Sequence, residues 1–232
     1  CIRDRFMGAF LIYPIITMVA DSFFDIGLTG DRTFVGLDNY IRAFTAGGFL
    51  KQLKNTLLYI VIAVGVETLL GLLFALFFEM DYKGSKIIRS FMMAPLMIAP
   101  LVAGLTWKLM MSSSFGIVNE LLARIGILSS SSDILWLADE KWSLIACCIA
   151  DIWLTTPFMM LMILAGLQGL DSSMTEAAKI DGANLLQQIF YIKLPVIKPV
   201  LLTALSVRII DAARTFDLSL IHISEPTRPR LI

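Results

Sequence analysis

Five long apolar runs, separated by polar stretches, dominate the pattern along the chain. A helix that crosses a hydrocarbon core of about 30 Å needs roughly 20 mostly apolar residues, and four runs meet that length while a fifth nearly does. The runs occupy residues 6–24, 57–78, 91–111, 144–167 and 199–218. The pattern therefore predicts an all-α membrane protein, a polytopic bundle of about five transmembrane helices.

The polar stretches between the runs predict an orientation in the membrane, because Lys and Arg are enriched in cytoplasmic loops. Residues 1–5 and the loops at 79–90 and 168–198 together hold eight Lys and Arg. The opposing loops, at 25–56 and 112–143, hold six. This difference favours a cytoplasmic position for the loop at 168–198.

Composition and charge agree with a membrane protein and exclude other classes. Hydrophobic residues make up 57% of the chain and charged residues 16%, against about 25% charged in soluble domains. The net charge of zero excludes nucleic acid as a partner, since phosphate binding needs a clustered basic surface. A single histidine, His222, provides no metal-ligand spacing, so we expect no metal site.

Motifs of catalysis and nucleotide binding do not occur in the sequence. There is no G-x-x-x-x-G-K-[ST] phosphate loop, no H-E-x-x-H and no G-x-S-x-G. We therefore expect no catalytic residue, no cofactor bound by this chain and no enzymatic activity.

The long polar gap on the predicted cytoplasmic side contains the segment EAAKIDGANLLQQIFYIKLP, residues 176–195. Ser173 and Glu176 fit the S-x-x-E capping box, which predicts a helix that starts near residue 174. Gly182 is placed to end that helix in the left-handed conformation that glycine tolerates. The spacing therefore predicts a short helix and a turn outside the bilayer.

A second helix is predicted after this turn, capped by Asn184, covering residues 185–193 and stopped by Pro195. Its apolar positions recur at near-helical spacing: Leu185, Leu186, Ile189 and Ile192. The first helix carries the small side chains of Ala177 and Ala178, which allow a close approach by another backbone. Helix chemistry leaves two interpretations, a capped interfacial connector or a surface for docking of a partner.

The same segment resembles the signature of ATP-binding cassette importer permeases, E-A-A-x3-G-x9-I-x-L-P. The match runs without gaps from Glu176-Ala177-Ala178 through Gly182 to Ile192 and Leu194-Pro195. Further segments are similar to the sugar-type branch, with its maltose-type and glycerol-phosphate-type permeases: residues 13–15, 34–40, 95–100, 153–157, 165–168 and 216–218. The resemblance covers roughly residues 6–218.

This resemblance implies a type I importer permease fold in a bacterial or archaeal plasma (inner) membrane. It also implies a second permease subunit, two cytoplasmic ATPase subunits that hold the ATP and Mg, and an extracytoplasmic solute-binding protein. The solute would be a sugar, an oligosaccharide or a glycerol-phosphate-like compound. Five residues would form the coupling helix seated in the ATPase: Glu176, Ala177, Ala178, Asp181 and Gly182.

Charged residues inside the predicted crossings are a second candidate site, because ionisable groups in a membrane are costly and usually face a bundle interior or an aqueous path. Four of these charged residues are the candidates: Glu67, Asp151, Arg208 and Asp211. One interpretation places them along the translocation path, and another has them pair internally and fix helix packing. As an alternative function, Glu67, Asp151 and Arg208 would serve an ion-coupled secondary carrier or channel.

The chain departs from the family pattern after residue 218. Family members continue beyond residue 218 into a further crossing, whereas this chain ends in SLIHISEPTRPRLI, which resembles translated sequencing-adapter read-through. We therefore expect a permease domain at residues 1–218, incomplete at both ends, with its coupling loop at 168–198. Residues 219–232 are expected to be a non-native tail.

Overall fold

The computed structural model describes residues 8–26, 31–45, 48–80, 82–112, 116–126 and 134–223. Within these residues the chain forms ten α-helices and one two-stranded hairpin. The helices are α1 (Tyr13–Asp21), α2 (Asp38–Thr45), α3 (Phe49–Glu79), α4 (Ser85–Met92), α5 (Pro100–Met110), α6 (Ile117–Arg124), α7 (Glu140–Gln168), α8 (Ser172–Ile180), α9 (Leu185–Gln188) and α10 (Leu194–Ile223). The strands are β1 (Phe24–Ile26) and β2 (Arg32–Phe34).

Three helical segments of the described chain are long and apolar enough to cross a membrane. They are Phe49–Glu79, Lys141–Gln168 and Leu185–Arg214. These segments contain or overlap the predicted crossings at 57–78, 144–167 and 199–218. The prediction of an all-α membrane bundle is confirmed, and α3, α7 and α10 are its principal members.

The other two predicted crossings are built from shorter pieces. The run at 6–24 forms a π-helical turn, Gly8–Ile12, followed by α1, and the chain turns into β1 soon after Asp21. The run at 91–111 is broken, because a 3₁₀ turn at Ala94–Met97 is followed by extended backbone before α5. Ala99 has φ −60° and ψ 134°, the conformation that a following proline, here Pro100, imposes on its neighbour.

Residues 1–55 form one compact unit, in which the hairpin is fastened to α2. Strands β1 and β2 are antiparallel, and Phe24 faces Phe34 with ring centroids 5.3 Å apart. The Asn39 side-chain amide donates hydrogen bonds of 3.0 Å to the carbonyls of Ser22 and Phe24. The predicted loop at 25–56 therefore contains most of the two strands, α2 and the first residues of α3, and the strands were not predicted from the sequence.

The second unit, residues 56–232, has its core where α3, α7 and α10 meet. One apolar cluster, at one end of the three helices, contains Ala75, Phe78, Met160, Ile163, Leu164, Leu167 and Ile197. Another cluster, further along, contains Tyr59, Ala63, Val64, Cys148 and Ala212. Each cluster draws residues from all three helices, so these helices form a continuous packed bundle.

Glycines allow the closest approaches within this bundle. A Cβ added to Gly71 in α3 would lie 2.8 Å from the Cβ of Met159 in α7 and 3.0 Å from the backbone nitrogen of Met160. A Cβ on Gly166 in α7 would lie 3.4 Å from Val200 of α10. The contact between α3 and α7 therefore depends on the missing side chain of Gly71.

A third cluster packs α5, α6 and the start of α7. It contains the buried side chains of Met111, Trp136 and Ala146. Asn119 of α6, which is also buried, donates to the carbonyl of Ile134 and accepts from the Trp136 indole. These two hydrogen bonds hold the segment that contains Ile134 and Trp136, just before α7, against α6.

Candidate functional site

The helix-turn-helix between α7 and α10 begins with α8. Its N-cap is Asp171, whose carboxylate accepts a 3.0 Å hydrogen bond from the Ser173 backbone N–H. A hydrogen bond from the Ser173 backbone N–H, and to a smaller extent one from the Ser173 hydroxyl, holds the pKa of the exposed Asp171 carboxyl below its ordinary value. The predicted N-cap, Ser173, is therefore wrong, and α8 starts two residues earlier than expected. Asp171 is the N-cap because its side chain accepts from one of the backbone N–H groups that the first turn of a helix leaves free.

Gly182 ends α8 as predicted, with φ +77°. The Gly182 N–H bonds the carbonyl of Lys179, and the Ala183 N–H bonds the carbonyl of Ala178. These two bonds form a Schellman motif, which satisfies carbonyls that the helix end leaves free. Gln188 adds a third restraint, since its side-chain amide donates to the Ala183 carbonyl at 2.8 Å.

Asn184 caps the second helix as predicted. Its side chain accepts from the Gln187 N–H, and the Gln187 side chain accepts from the Asn184 N–H, both at 2.8 Å. This reciprocal capping box fixes α9 directly after the turn.

Pro195 does not stop the helix, contrary to prediction. After α9 the chain passes through a π-helical turn, Ile189–Lys193, and continues without interruption into α10. The Leu194 N–H bonds the carbonyl of Ile189, five residues back. The wider π-helical turn gives room for the Pro195 ring, which in a regular α-helix would clash with the carbonyl four residues earlier.

The predicted coupling residues lie on this unit with different exposures. Glu176, Ala177, Asp181 and Gly182 are exposed, whereas Ala178 is only 7% exposed and is covered by the chain itself. Of the two alanines, only Ala177 has its small side chain exposed.

Several large apolar side chains around the turn are exposed. We define the docking surface as five exposed side chains: Ile180, Leu185, Leu186, Phe190 and Tyr191. Ile180 is 86% and Tyr191 79% exposed. Beside them runs a shallow open groove lined by Asp181, Gly182, Ala183, Gln187, Tyr191 and Ile192. Four of these five side chains belong to the apolar segment Leu185–Arg214. An exposed apolar patch of this kind is typical of a surface that contacts another protein or lipid.

An ion pair ties this unit to α3. The Lys193 ammonium donates to both carboxylate oxygens of Glu79, each at 2.7 Å. Lys193 ends the π-helical turn and Glu79 ends α3. This pair was not predicted from the sequence. Glu79 follows one predicted crossing and Lys193 precedes another on the same predicted side of the membrane, and this placement is a signal from which the pair could have been predicted.

The predicted intramembrane residues come together in one cluster between the two apolar layers of the bundle. Arg208 binds Glu67 through two bonds, from Nε to Oε2 at 2.8 Å and from Nη2 to Oε1 at 2.9 Å. The same guanidinium donates to Asp151 at 3.0 Å and to Asp211 at 2.6 Å. All four predicted residues therefore share a single charge cluster, which joins α3, α7 and α10.

The cluster is internally paired. Glu67 and Arg208 are essentially inaccessible, and Asp211 is the member whose side chain is exposed. Two polar side chains that were not predicted from the sequence lie beside the cluster: Tyr59, which is buried, and Thr155, whose hydroxyl donates to the Asp151 backbone carbonyl at 2.7 Å. This arrangement favours the packing interpretation for Glu67 and Arg208, since their charges are satisfied by each other. Within the described residues, no group of side chains could hold a metal ion.

Comparison with known proteins adds independent information. Residues 40–227 match the family described as binding-protein-dependent transport system inner membrane component. The trehalose/maltose transport system permease protein MalF of Thermococcus litoralis is 36% identical over 229 residues, which cover 93% of this chain and 76% of the relative. The sulfoquinovosyl glycerol transport system permease protein SmoG of Agrobacterium fabrum is 34% identical, over 91% of this chain and 68% of the relative.

A solved structure shares the fold. A chain in the crystal structure of a bacterial alginate ABC transporter, in complex with an alginate pentasaccharide-bound periplasmic protein, superposes with a TM-score of 0.80. The match covers 97% of this chain and 75% of that one, at 22% sequence identity. The helix arrangement described above is therefore one that a known transporter also adopts.

Proposed function

Because this chain belongs to the family of binding-protein-dependent transport system inner membrane components, we propose that it is the transmembrane permease subunit of an ATP-driven importer. The docking surface carries this proposal. It is an exposed apolar surface, positioned by the capped helices α8 and α9 and by the π-helical turn that follows them. A partner protein bound at this surface would bury these apolar side chains.

The proposed partner on this surface is a cytoplasmic ATPase, of which the complete importer would contain two copies. This chain has no phosphate loop, so the ATP and Mg would bind to those subunits. Glu176, Ala177, Asp181 and Gly182 are exposed on the same unit as the docking surface, where they can contact the ATPase. Ala178 would support the contact from beneath.

ATP-driven movement of the ATPase would then reach the spans through α8 and α9. The helical path from α9 through the π-helical turn into α10 is unbroken, so a displacement of the docking surface tilts α10 directly. We propose that this tilt switches the permease between inward-open and outward-open states. Asp211, whose side chain is exposed beside the charge cluster, is the member placed to contact a passing solute.

The proposed cargo is a sugar, an oligosaccharide or a glycerol-phosphate-like solute. The names of the two relatives, a trehalose/maltose permease and a sulfoquinovosyl glycerol permease, support this class. A second permease subunit would complete the pathway in the inner membrane, and a solute-binding protein would deliver the cargo to the opposite face. The alginate transporter crystallised with its periplasmic protein supports the last of these partners.

Uptake and co-purification together test the proposal. The tagged chain is expressed with candidate ATPase, second permease and solute-binding subunits, and proteoliposomes containing the complex are supplied with labelled maltose or trehalose. We expect the ATPase to co-purify and uptake to require ATP. Uptake driven by an ion gradient without ATP would contradict the proposal and support the carrier alternative.

A matched pair of glycine variants tests whether binding of the ATPase depends on the turn beside the docking surface. Gly182 and Gly126 both have positive φ, +77° and +81°, and a Cβ on either meets no atom within 4 Å. An alanine at each therefore costs a similar amount, about 1–2 kcal/mol of backbone strain. We expect Gly182→Ala to reduce co-purification of the ATPase and Gly126→Ala, in the opposing loop, to leave it unchanged.

A further inference from the structure

The ion pair between Glu79 and Lys193 is unlike the other charged contacts at the ends of the helices. Its two side chains are only 22% and 15% exposed, whereas the Arg124–Glu120 pair is 74% and 50% exposed. It joins residues 114 positions apart in sequence. Both carboxylate oxygens of Glu79 are used, so the contact defines the relative position of the two backbones closely.

The location of Glu79 makes this contact more than an incidental surface pair. Glu79 is the last residue of α3, where the helix macrodipole is negative and a carboxylate is unfavourable without a compensating cation. Lys193 supplies that cation from the π-helical turn that follows the docking surface. Helix propensity alone therefore does not account for a glutamate at this end.

A second contact holds α3 to α10 further into the membrane. Glu67 lies 12 residues before Glu79 on α3, about 18 Å along the helix, and binds Arg208 of α10 through two hydrogen bonds. The helices α3 and α10 are therefore clamped at two points, one beside the docking surface and one in the bundle. Two separated contacts resist rotation of one helix against the other, which a single contact does not.

We propose that the Glu79–Lys193 pair transmits movement of the docking surface to α3, so that α3 and α10 tilt as one body during transport. The inference rests on the proposed function as an importer subunit. Glu79 and Lys193 act here as positioning residues, because neither lies on the docking surface. Without the pair, α10 still follows the docking surface, but the end of α3 is held only by apolar contacts, such as those of Phe78 in the cluster that includes Ile197, and such contacts are not directional.

The measurement is the number of solute molecules imported per ATP hydrolysed by the complete transporter in proteoliposomes. The variants are Glu79→Gln, Lys193→Met and the charge-exchanged double variant E79K/K193E. Glu120→Gln, which breaks the exposed pair with Arg124, is the matched control. We expect each single variant to lower the ratio at least fivefold while the ATPase subunits co-purify at the unaltered level. The double variant should return the ratio to within twofold, and the control should not change it.

A distance measurement separates transmission from simple stabilisation. Spin labels at Leu73 of α3 and Val196 of α10, both exposed, should give one distance in the ATP-bound and nucleotide-free complexes. In Glu79→Gln the distance should differ between the two states.

Any one of three results would overturn the inference. One is an unchanged ratio in both single variants, and another is a single distance in both nucleotide states of Glu79→Gln. A double variant that remains as impaired as the single variants would also overturn it, since the two side chains would then act separately. A different result would contradict the proposed function itself: uptake by the complex of unaltered protein that does not depend on ATP.

Discussion

Replacing Gly71 with alanine tests whether the bundle is held at its closest approach by the absence of a side chain. The new Cβ would lie 2.8 Å from the Met159 Cβ, where ordinary contacts begin near 3.4 Å. The atoms in the way are a Cβ and backbone of α7, which cannot rotate aside, so α3 and α7 must move apart. Overpacking of this kind costs about 1–3 kcal/mol. We expect the free energy of unfolding of Gly71→Ala to be lower by that amount than that of an alanine variant at an uncrowded glycine of the same helix.

Gly65 provides the control on the same helix. A Cβ on Gly65 meets no atom within 4 Å, and alanine is favoured over glycine in a helix by about 1 kcal/mol. Gly65→Ala should therefore be as stable as the unaltered protein or more stable. The assay is unfolding of each purified variant in mixed micelles by titration with a denaturing detergent, followed by circular dichroism. If Gly71→Ala unfolds at the same detergent fraction as Gly65→Ala, the proposed packing of α3 against α7 is wrong.

Three further predictions concern polar contacts. Arg208→Met should destabilise the bundle by about 3–5 kcal/mol in the same unfolding assay, because the buried Glu67 loses its partner; stability equal to that of the unaltered protein would contradict a paired cluster. Since the pKa of Asp171 is lowered on folding, its contribution to α8 is present above the ordinary aspartate pKa near 4 and is lost as the pH falls through the lower folded value. Amide protection in α8 should therefore fall on acidification more than in α9, whose cap Asn184 does not titrate, and Asp171→Asn should remove that difference. Asn119→Ala should cost about 1–3 kcal/mol, because it leaves a buried carbonyl and an indole N–H without their partner; an Asn119→Ala variant of unaltered stability would show that water replaces the lost contacts.

The bundle was predictable where apolar length decided the structure. The helices α3 and α7 follow continuous apolar runs, and hydrogen bonding within a helix is local, so each run forms one element. The start of α3 was missed because residues 49–56 are mixed in polarity, and a helix continues through such residues when nothing interrupts it. Hydropathy indicates only the part of α3 that is apolar enough to lie in the membrane, whereas the helix itself begins several residues earlier.

Backbone restrictions explain the crossings that were predicted differently. Hydropathy treats residues 91–111 as one run, but Pro100 forces the preceding residue out of helical geometry. Pro195 was expected to stop a helix for the same reason, yet the π-helical turn before it accommodates the ring. The same residue type therefore breaks one helix and is tolerated in another, according to the hydrogen-bond register around it.

The candidate site was predictable in its residues and less so in its contacts. Gly182 and Asn184 have local roles that depend on their immediate neighbours, and the structure confirms both. Arg208 and Glu67 could be recognised as costly in a membrane, but their pairing depends on the register of two helices far apart in sequence. Whether the cluster lines a solute path stays a prediction.

The π-helical turn has a consequence for how this segment is oriented. A π-helical turn contains about one residue more than an α-helical turn, and each residue of an α-helix advances the side chain by about 100°. The extra residue shifts the phase between α9 and α10, so Leu185 and Leu186 are aimed outward while Ile197, further along the same helical path, is buried in the bundle. A single helical wheel drawn through both segments would misalign these two faces. Insertion or deletion of one residue in Ile189–Lys193 is therefore a way to re-aim the docking surface without unpacking the spans.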